Sequence, residues 1–164
     1  MQWGSLVGSW NTNRQPGIWD RAPADGRLPV PETRELSRIL KKHLRVDRVM
    51  YALWNGYGGM QLENADLIEL PYRSMYVVNG SIDDAVSPFG ITDRTANLWW
   101  PDDHQWCVAT DIDLVSTYIG GSAQCIEAVV GSATLEAMEV TSDQSIAWES
   151  DTLNPPPEPP YLSE

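Results

Sequence analysis

Cysteine is almost missing from this chain: only Cys107 and Cys125 occur. Two thiols cannot build a disulfide framework, and they read as small buried apolar residues. Histidine is equally scarce, with His43 and His104 alone. A nucleophilic cysteine needs a nearby imidazole. His104 and Cys107 are close in sequence, but on a strand residues three apart face opposite ways. No apolar run approaches the ~18 residues of a membrane span. The start, Met1-Gln2-Trp3-Gly4-Ser5, has neither the basic nor the apolar stretch of a secretory signal, so a cytoplasmic protein is expected. No Gly-x-Ser-x-Gly elbow occurs. Asn55-Gly56-Tyr57-Gly58-Gly59 lacks the lysine and the Ser/Thr of a phosphate-binding loop.

Positive charge runs out early. From Met1 to Arg48, nine Lys+Arg stand against five Asp+Glu, a net of +4. From Val49 to Glu164, Arg73 and Arg94 stand alone against eighteen acids, a net of −16, and the whole chain carries −12. Nucleic acid and anionic lipid are repelled by such a protein. Two readings of the acidic part remain. It can serve solubility alone, or it can form a face that steers onto a basic partner.

What is present argues for one folded domain. The chain has 164 residues, 42% of them hydrophobic, with eight tryptophans, enough for a sizeable core. Residues 1–30 are punctuated by Gly, Pro, Asn and Asp and read as irregular, yet Trp3, Trp10 and Trp19 lie there. At least one of these should pack on the body, and docking of a partner by this aromatic segment is the alternative. A helix is predicted over 31–44. Pro31 and Glu32 suit its start, Leu36, Ile39, Leu40 and Leu44 form a stripe, and cations sit near its end. Strands are predicted at Arg48–Trp54, Ala65–Leu70, Arg73–Val78, Gln105–Ile112, Thr117–Ile119 and Leu135–Val140, with Ser145–Trp148 as a further extension. Ser81 and Ser122 read as N-caps of a short helix and of a second main helix, Ala123–Gly131. Residues 151–164, with five prolines within 155–160, read as a disordered tail in which an extended polyproline conformation is favoured.

Two polar groupings are candidates for function. Adjacent Trp99 and Trp100 in an extended segment must point to opposite faces, so one of them should be exposed or cover another element. Asp102 and Asp103 follow at once. An exposed tryptophan beside two carboxylates suits a basic protein surface, so Trp99, Trp100, Asp102 and Asp103 are the candidate contacts. Separately, Asp102, His104, Asp111 and Asp113 offer carboxylate and imidazole ligands for a divalent metal, although their spacing matches no metal signature. A solvated turn and a polar strand end explain the same residues.

Several segments resemble a family of small acidic proteins of high-GC Gram-positive bacteria with no assigned activity. They are Tyr51-Ala52-Leu53-Trp54-Asn55-Gly56-Tyr57-Gly58, Leu70-Pro71-Tyr72-Arg73, Asn97-Leu98-Trp99-Trp100-Pro101-Asp102-Asp103, Trp106-Cys107-Val108-Ala109-Thr110-Asp111-Ile112-Asp113 and Ser116-Thr117-Tyr118-Ile119-Gly120-Gly121-Ser122. They are spread over Tyr51–Ser122, a little under half of the chain, and the resemblance supplies no chemistry. A looser likeness, a helix leading into an antiparallel sheet with Trp-Asn-Gly-rich turns, is to SUKH-type immunity proteins, which bind toxin domains.

The resulting expectation is a single α+β domain over 31–150. It has an antiparallel sheet of five to seven strands and two main helices, follows an irregular segment 1–30 packed on the body, and precedes the tail 151–164. The expected function is non-enzymatic: an immunity protein or inhibitor that occludes a basic toxin or nuclease, with no cofactor. A divalent-metal enzyme and a DNA-mimicking inhibitor are the alternatives.

Overall fold

Val49–Trp54 forms β1 at the middle of the sheet, because its neighbours on both sides can bury its alternate residues. The computed structural model describes residues 24–43, 48–58, 62, 65–89 and 93–146. The remaining elements are α1 (Val30–His43), β2 (Asp66–Leu70), β3 (Arg73–Gly80), a 3₁₀ turn (Ile82–Val86), β4 (Leu98–Pro101), β5 (Cys107–Thr110), β6 (Thr117–Gly120) and α2 (Ala123–Val130). The six strands lie in the order β2-β3-β1-β4-β5-β6, and every neighbouring pair is antiparallel. Among the described residues the fold is thus α+β, with two helices. Ala24–Glu139 forms one compact unit. Beyond it, residues 140–146 hold a turn closed by the Gln144 N–H on the Thr141 carbonyl at 3.1 Å.

Strand alternation sorts the core into two layers. Val49, Tyr51 and Leu53 of β1 meet Leu36, Ile39 and Leu40 of α1 and Cys125 and Val129 of α2. On the opposite face, Ala52, Met75 and Val77 are buried among Met50, Trp54, Ile68, Leu70, Leu98 and Trp100. The helix ends follow local chemistry. Ser122 Oγ accepts the Cys125 N–H at 3.3 Å and caps α2. Ser81 gives both its N–H and its hydroxyl to Asp84 Oδ2, at 2.8 and 2.9 Å. Glu35 of α1 links the two helices: it receives a two-pronged hydrogen bond from Arg38, 2.8 Å for each prong, and the Ser132 hydroxyl at 3.1 Å.

Three segments depart from the sequence-based expectation. Leu98–Pro101 is a full strand, whereas the chain before Gln105 was expected only to lead into one. The strand expected over Gln105–Ile112 is reduced to Cys107–Thr110, because a turn closes at once, with the Leu114 N–H on the Asp111 carbonyl at 3.1 Å. Leu135–Val140 joins no ladder, and residues 145–146 form no strand. Leu135 and Ala137 pack against the helix-side core, which takes this stretch out of the sheet plane. Trp3, Trp10, Trp19, Trp148 and the proline run all lie outside the described residues.

One side chain joins the strands to the entering chain. Asn97 is 4% exposed. Its Oδ1 accepts the Trp54 N–H at 3.0 Å, and its Nδ2 donates to the Gly26 carbonyl at 2.6 Å and to Tyr57 Oη at 3.2 Å. Gly26 can sit there because it has no Cβ: its φ is +66°, and a Cβ would come within 2.9 Å of the Tyr57 hydroxyl and 3.0 Å of the Ile112 carbonyl oxygen. Asn97→Ala should destabilise the fold by about 2–4 kcal/mol, since it strands several buried partners at once. Asn97→Asp should be no milder, because it keeps the acceptor, loses the donors and buries a charge. Urea unfolding midpoints measure both.

Glu35 supplies a pH test. The Arg38 guanidinium, helped by the Ser132 hydroxyl, lowers its pKa from the ordinary 4.5 to about 2. A carboxylate depressed by folding stabilises above its unfolded pKa and loses that contribution as pH falls through the folded value. Stability from Glu35 should therefore be complete above pH 4.5 and fade towards pH 2. Glu35→Gln should flatten the unfolding midpoint across that window and leave the shape of its pH dependence elsewhere unchanged.

Candidate functional site

β4 delivers the candidate contact residues to the β4–β5 turn. Trp99 points to the helix side and is only 3% exposed. It stacks on Tyr51 with ring centroids 6.1 Å apart and meets Trp106 edge-on at 5.4 Å. The Tyr51 hydroxyl donates to the Ser81 carbonyl at 2.7 Å, and burial, with Asp84 and Asp83 nearby, pushes its pKa up. Trp99 is thus a core residue and presents no surface to a partner, which removes it from the expected contacts. Trp100 points to the opposite face, half-buried, directly across from Met50.

Asp102 and Asp103 stand exposed at the turn itself. The His104 N–H closes it on the Pro101 carbonyl at 3.0 Å, and Asp103 Oδ1 accepts the Gln105 N–H at 3.2 Å. His104 adopts φ +55°, a left-handed conformation for which His is among the better-tolerated residues. Among the described residues, neither Asp102 nor Asp103 makes an ion pair.

The metal-ligand set does not assemble. Asp102 and His104 lie before β5, whereas Asp111 and Asp113 lie after it. The four residues of β5 alone separate the two turns by about 13 Å, too far for ligands that must each come within ~2.6 Å of one ion. Asp111 is engaged elsewhere, in an ion pair with Arg73 at 3.0 Å. Among the described residues, no three of His, Cys, Asp and Glu are grouped as metal ligands would be.

The two cations of the acidic part are both engaged. Arg73 holds Asp111, and the Arg94 guanidinium lies over the Tyr57 ring at 4.0 Å from its centroid. Stacking of this kind favours arginine over lysine. The exposed acids are spread out. Asp83, Asp84, Asp102 and Asp103 lie near one end of the sheet, Asp93 and Asp113 near the other, Asp66 and Glu69 on the β2 edge, and Glu127 on α2.

Two notable residues escaped sequence reasoning. Asn97 was given no role of its own. Tyr72 was read only as part of a break between strands, yet it is fully exposed at φ +71°. The pairing of Leu70 with Arg73 leaves a two-residue hairpin loop, Pro71-Tyr72. Proline at the first loop position excludes the mirror-image turns and leaves types I and II. A positive φ at the second position selects type II, which favours glycine there. The sequence left this open, since type I would carry tyrosine without strain; the left-handed φ seen here costs roughly 1–2 kcal/mol.

No family model, curated protein or solved structure matches this chain. Among the described residues, no helix is long and apolar enough to cross a membrane.

Both cysteines are free, Cys125 fully buried and Cys107 half-buried, and burial raises the pKa of each thiol. Raised thiols react slowly, because the thiolate is the nucleophile. An Ellman assay at mildly alkaline pH should label the native protein far more slowly than the urea-unfolded chain, with Cys125 the slower of the two. Fast native labelling of either would contradict the packing described above.

Proposed function

We propose that this protein is a non-enzymatic acidic binding protein, an immunity protein or inhibitor that occludes a basic toxin or nuclease. The observation that carries the reading is the β4–β5 turn, where Asp102 and Asp103 are exposed without an ion-pair partner among the described residues beside half-buried Trp100. In the sequence, the net −16 of Val49–Glu164 is opposed only by Arg73 and Arg94, both already engaged. Unpaired surface carboxylates act at a distance and raise the rate of encounter with a basic surface. Occlusion needs no further chemistry. The contact set is Trp100, Asp102 and Asp103.

Affinity capture from the native host should return a basic protein whose binding weakens as salt rises from roughly 50 to 300 mM, where screening shortens the reach of surface charge. Asp102→Lys with Asp103→Lys should slow association about tenfold or more, with the melting temperature lowered only by the loss of the exposed Asp103–Gln105 hydrogen bond. The reading fails if nothing basic is captured, or if binding is indifferent to both salt and charge reversal.

A further inference from the structure

β2 is an open sheet edge. Its ladder partner is β3 alone, and among the described residues no other hydrogen bond reaches the backbone of Asp66–Leu70. An edge strand leaves the N–H and C=O groups of alternate residues unpaired, which is a template for another strand. On one side of this strand Leu67 is 54% exposed. On the other, Ile68 and Leu70 are half-buried at the margin of the second apolar layer. Asp66 and Glu69 are exposed on opposite sides, and neither is in an ion pair among the described residues.

Tyr72 lies at the end of the same hairpin. It sits in a conformation that glycine would adopt without strain, and its side chain contributes no burial. A residue that strains the turn and packs on nothing is explained by a contact outside the molecule.

The geometry points to β2 as a strand-addition site for an extended, basic segment of a partner protein, with Tyr72 gripping the end of the added strand. The added strand would set basic residues opposite Asp66 and Glu69 and apolar residues beside Leu67 and Ile68. Main-chain hydrogen bonds would supply affinity and the alternate side chains specificity. A second copy of this chain is a poor occupant, because each β2 would bring its own two carboxylates to the same edge. The proposal rests on the acidic-binding reading for the sign of the partner's charge, but it uses a surface separate from the β4–β5 turn.

The test is an amide-shift titration of the isotope-labelled full chain with a short blocked peptide built on Lys-Val-Val-Lys, whose two lysines fall opposite Asp66 and Glu69. The same peptide with glutamate for lysine is the control. Shifts and slowed amide exchange should concentrate at Asp66–Leu70 and Tyr72 with the lysine peptide only. Asp66→Lys with Glu69→Lys should weaken binding about tenfold or more. Tyr72→Gly should weaken binding while raising the melting temperature, a combination that a merely structural tyrosine would not produce. Lysine-peptide shifts at 101–105, abolished by Asp102→Lys with Asp103→Lys, would overturn the edge and leave the acidic-binding reading standing. Equal binding of both peptides would overturn the proposal. Binding of neither would overturn the edge alone if host capture still returns a salt-sensitive basic partner, and both readings if it does not. Dimerisation through β2, seen by light scattering, would also overturn it.

Discussion

The Asn97 side chain accepts the Trp54 N–H and donates to the Gly26 carbonyl, while its own backbone bonds Ala52 and Thr110. One residue therefore completes the hydrogen bonding of β1, meets the end of β5 and anchors the chain that leads into α1. Serine or threonine could not replace it. A single hydroxyl cannot accept from one strand and donate to two further groups in fixed directions. Gly26 follows as a consequence, since its φ of +66° and the approach of the Tyr57 hydroxyl and the Ile112 backbone leave no room for a Cβ. At the same end of the sheet Arg94 lies over the Tyr57 ring and Arg73 pairs with Asp111.

Much of the architecture was legible in the chain, and the reason differs by element. α1 was readable because stripe, start and terminal charges agree over Val30–His43. α2 was readable from Ser122 and the apolar residues that follow. β4 was not. Leu98–Pro101 is four residues long and runs straight into Pro101-Asp102-Asp103, so its turn signals outweigh its β-propensity. Leu135–Val140 is the converse case. Its composition suits a strand, but strand formation needs a free edge, and Leu135 and Ala137 are spent on the helix-side core. Pattern alone does not show which edge is within reach.

The candidate site divides along the same line. That Trp99 and Trp100 must face opposite ways followed from the pleat. Which of them faces the helices depends on register: Tyr51 lies across from Trp99 and points to the helix layer, so Trp99 does too. The supposed metal cluster looked plausible because sequence distance is short between Asp102 and Asp113. A strand converts that short distance into separation, placing the two turns at opposite ends of β5. The pairing of Arg73 with Asp111 could not be read at all, since it joins β3 to the turn after β5, with β1 and β4 between those strands in the sheet.

The two edges of the sheet meet the same hazard differently. Natural sheets guard an open edge by keeping it short, by twisting it away or by placing charge on it. β6 has four residues and no charged side chain, so its protection is brevity, ended by Gly120-Gly121. β2 is longer and carries Asp66 and Glu69. Carboxylates guard an edge against copies of itself, because identical strands brought together repel. They do not guard it against a strand of opposite charge, for which the same residues are attractive. Charge of one sign on an edge is therefore selective where brevity is indiscriminate. Two carboxylates on the longer edge therefore oppose pairing with a copy of itself more than pairing with a basic strand.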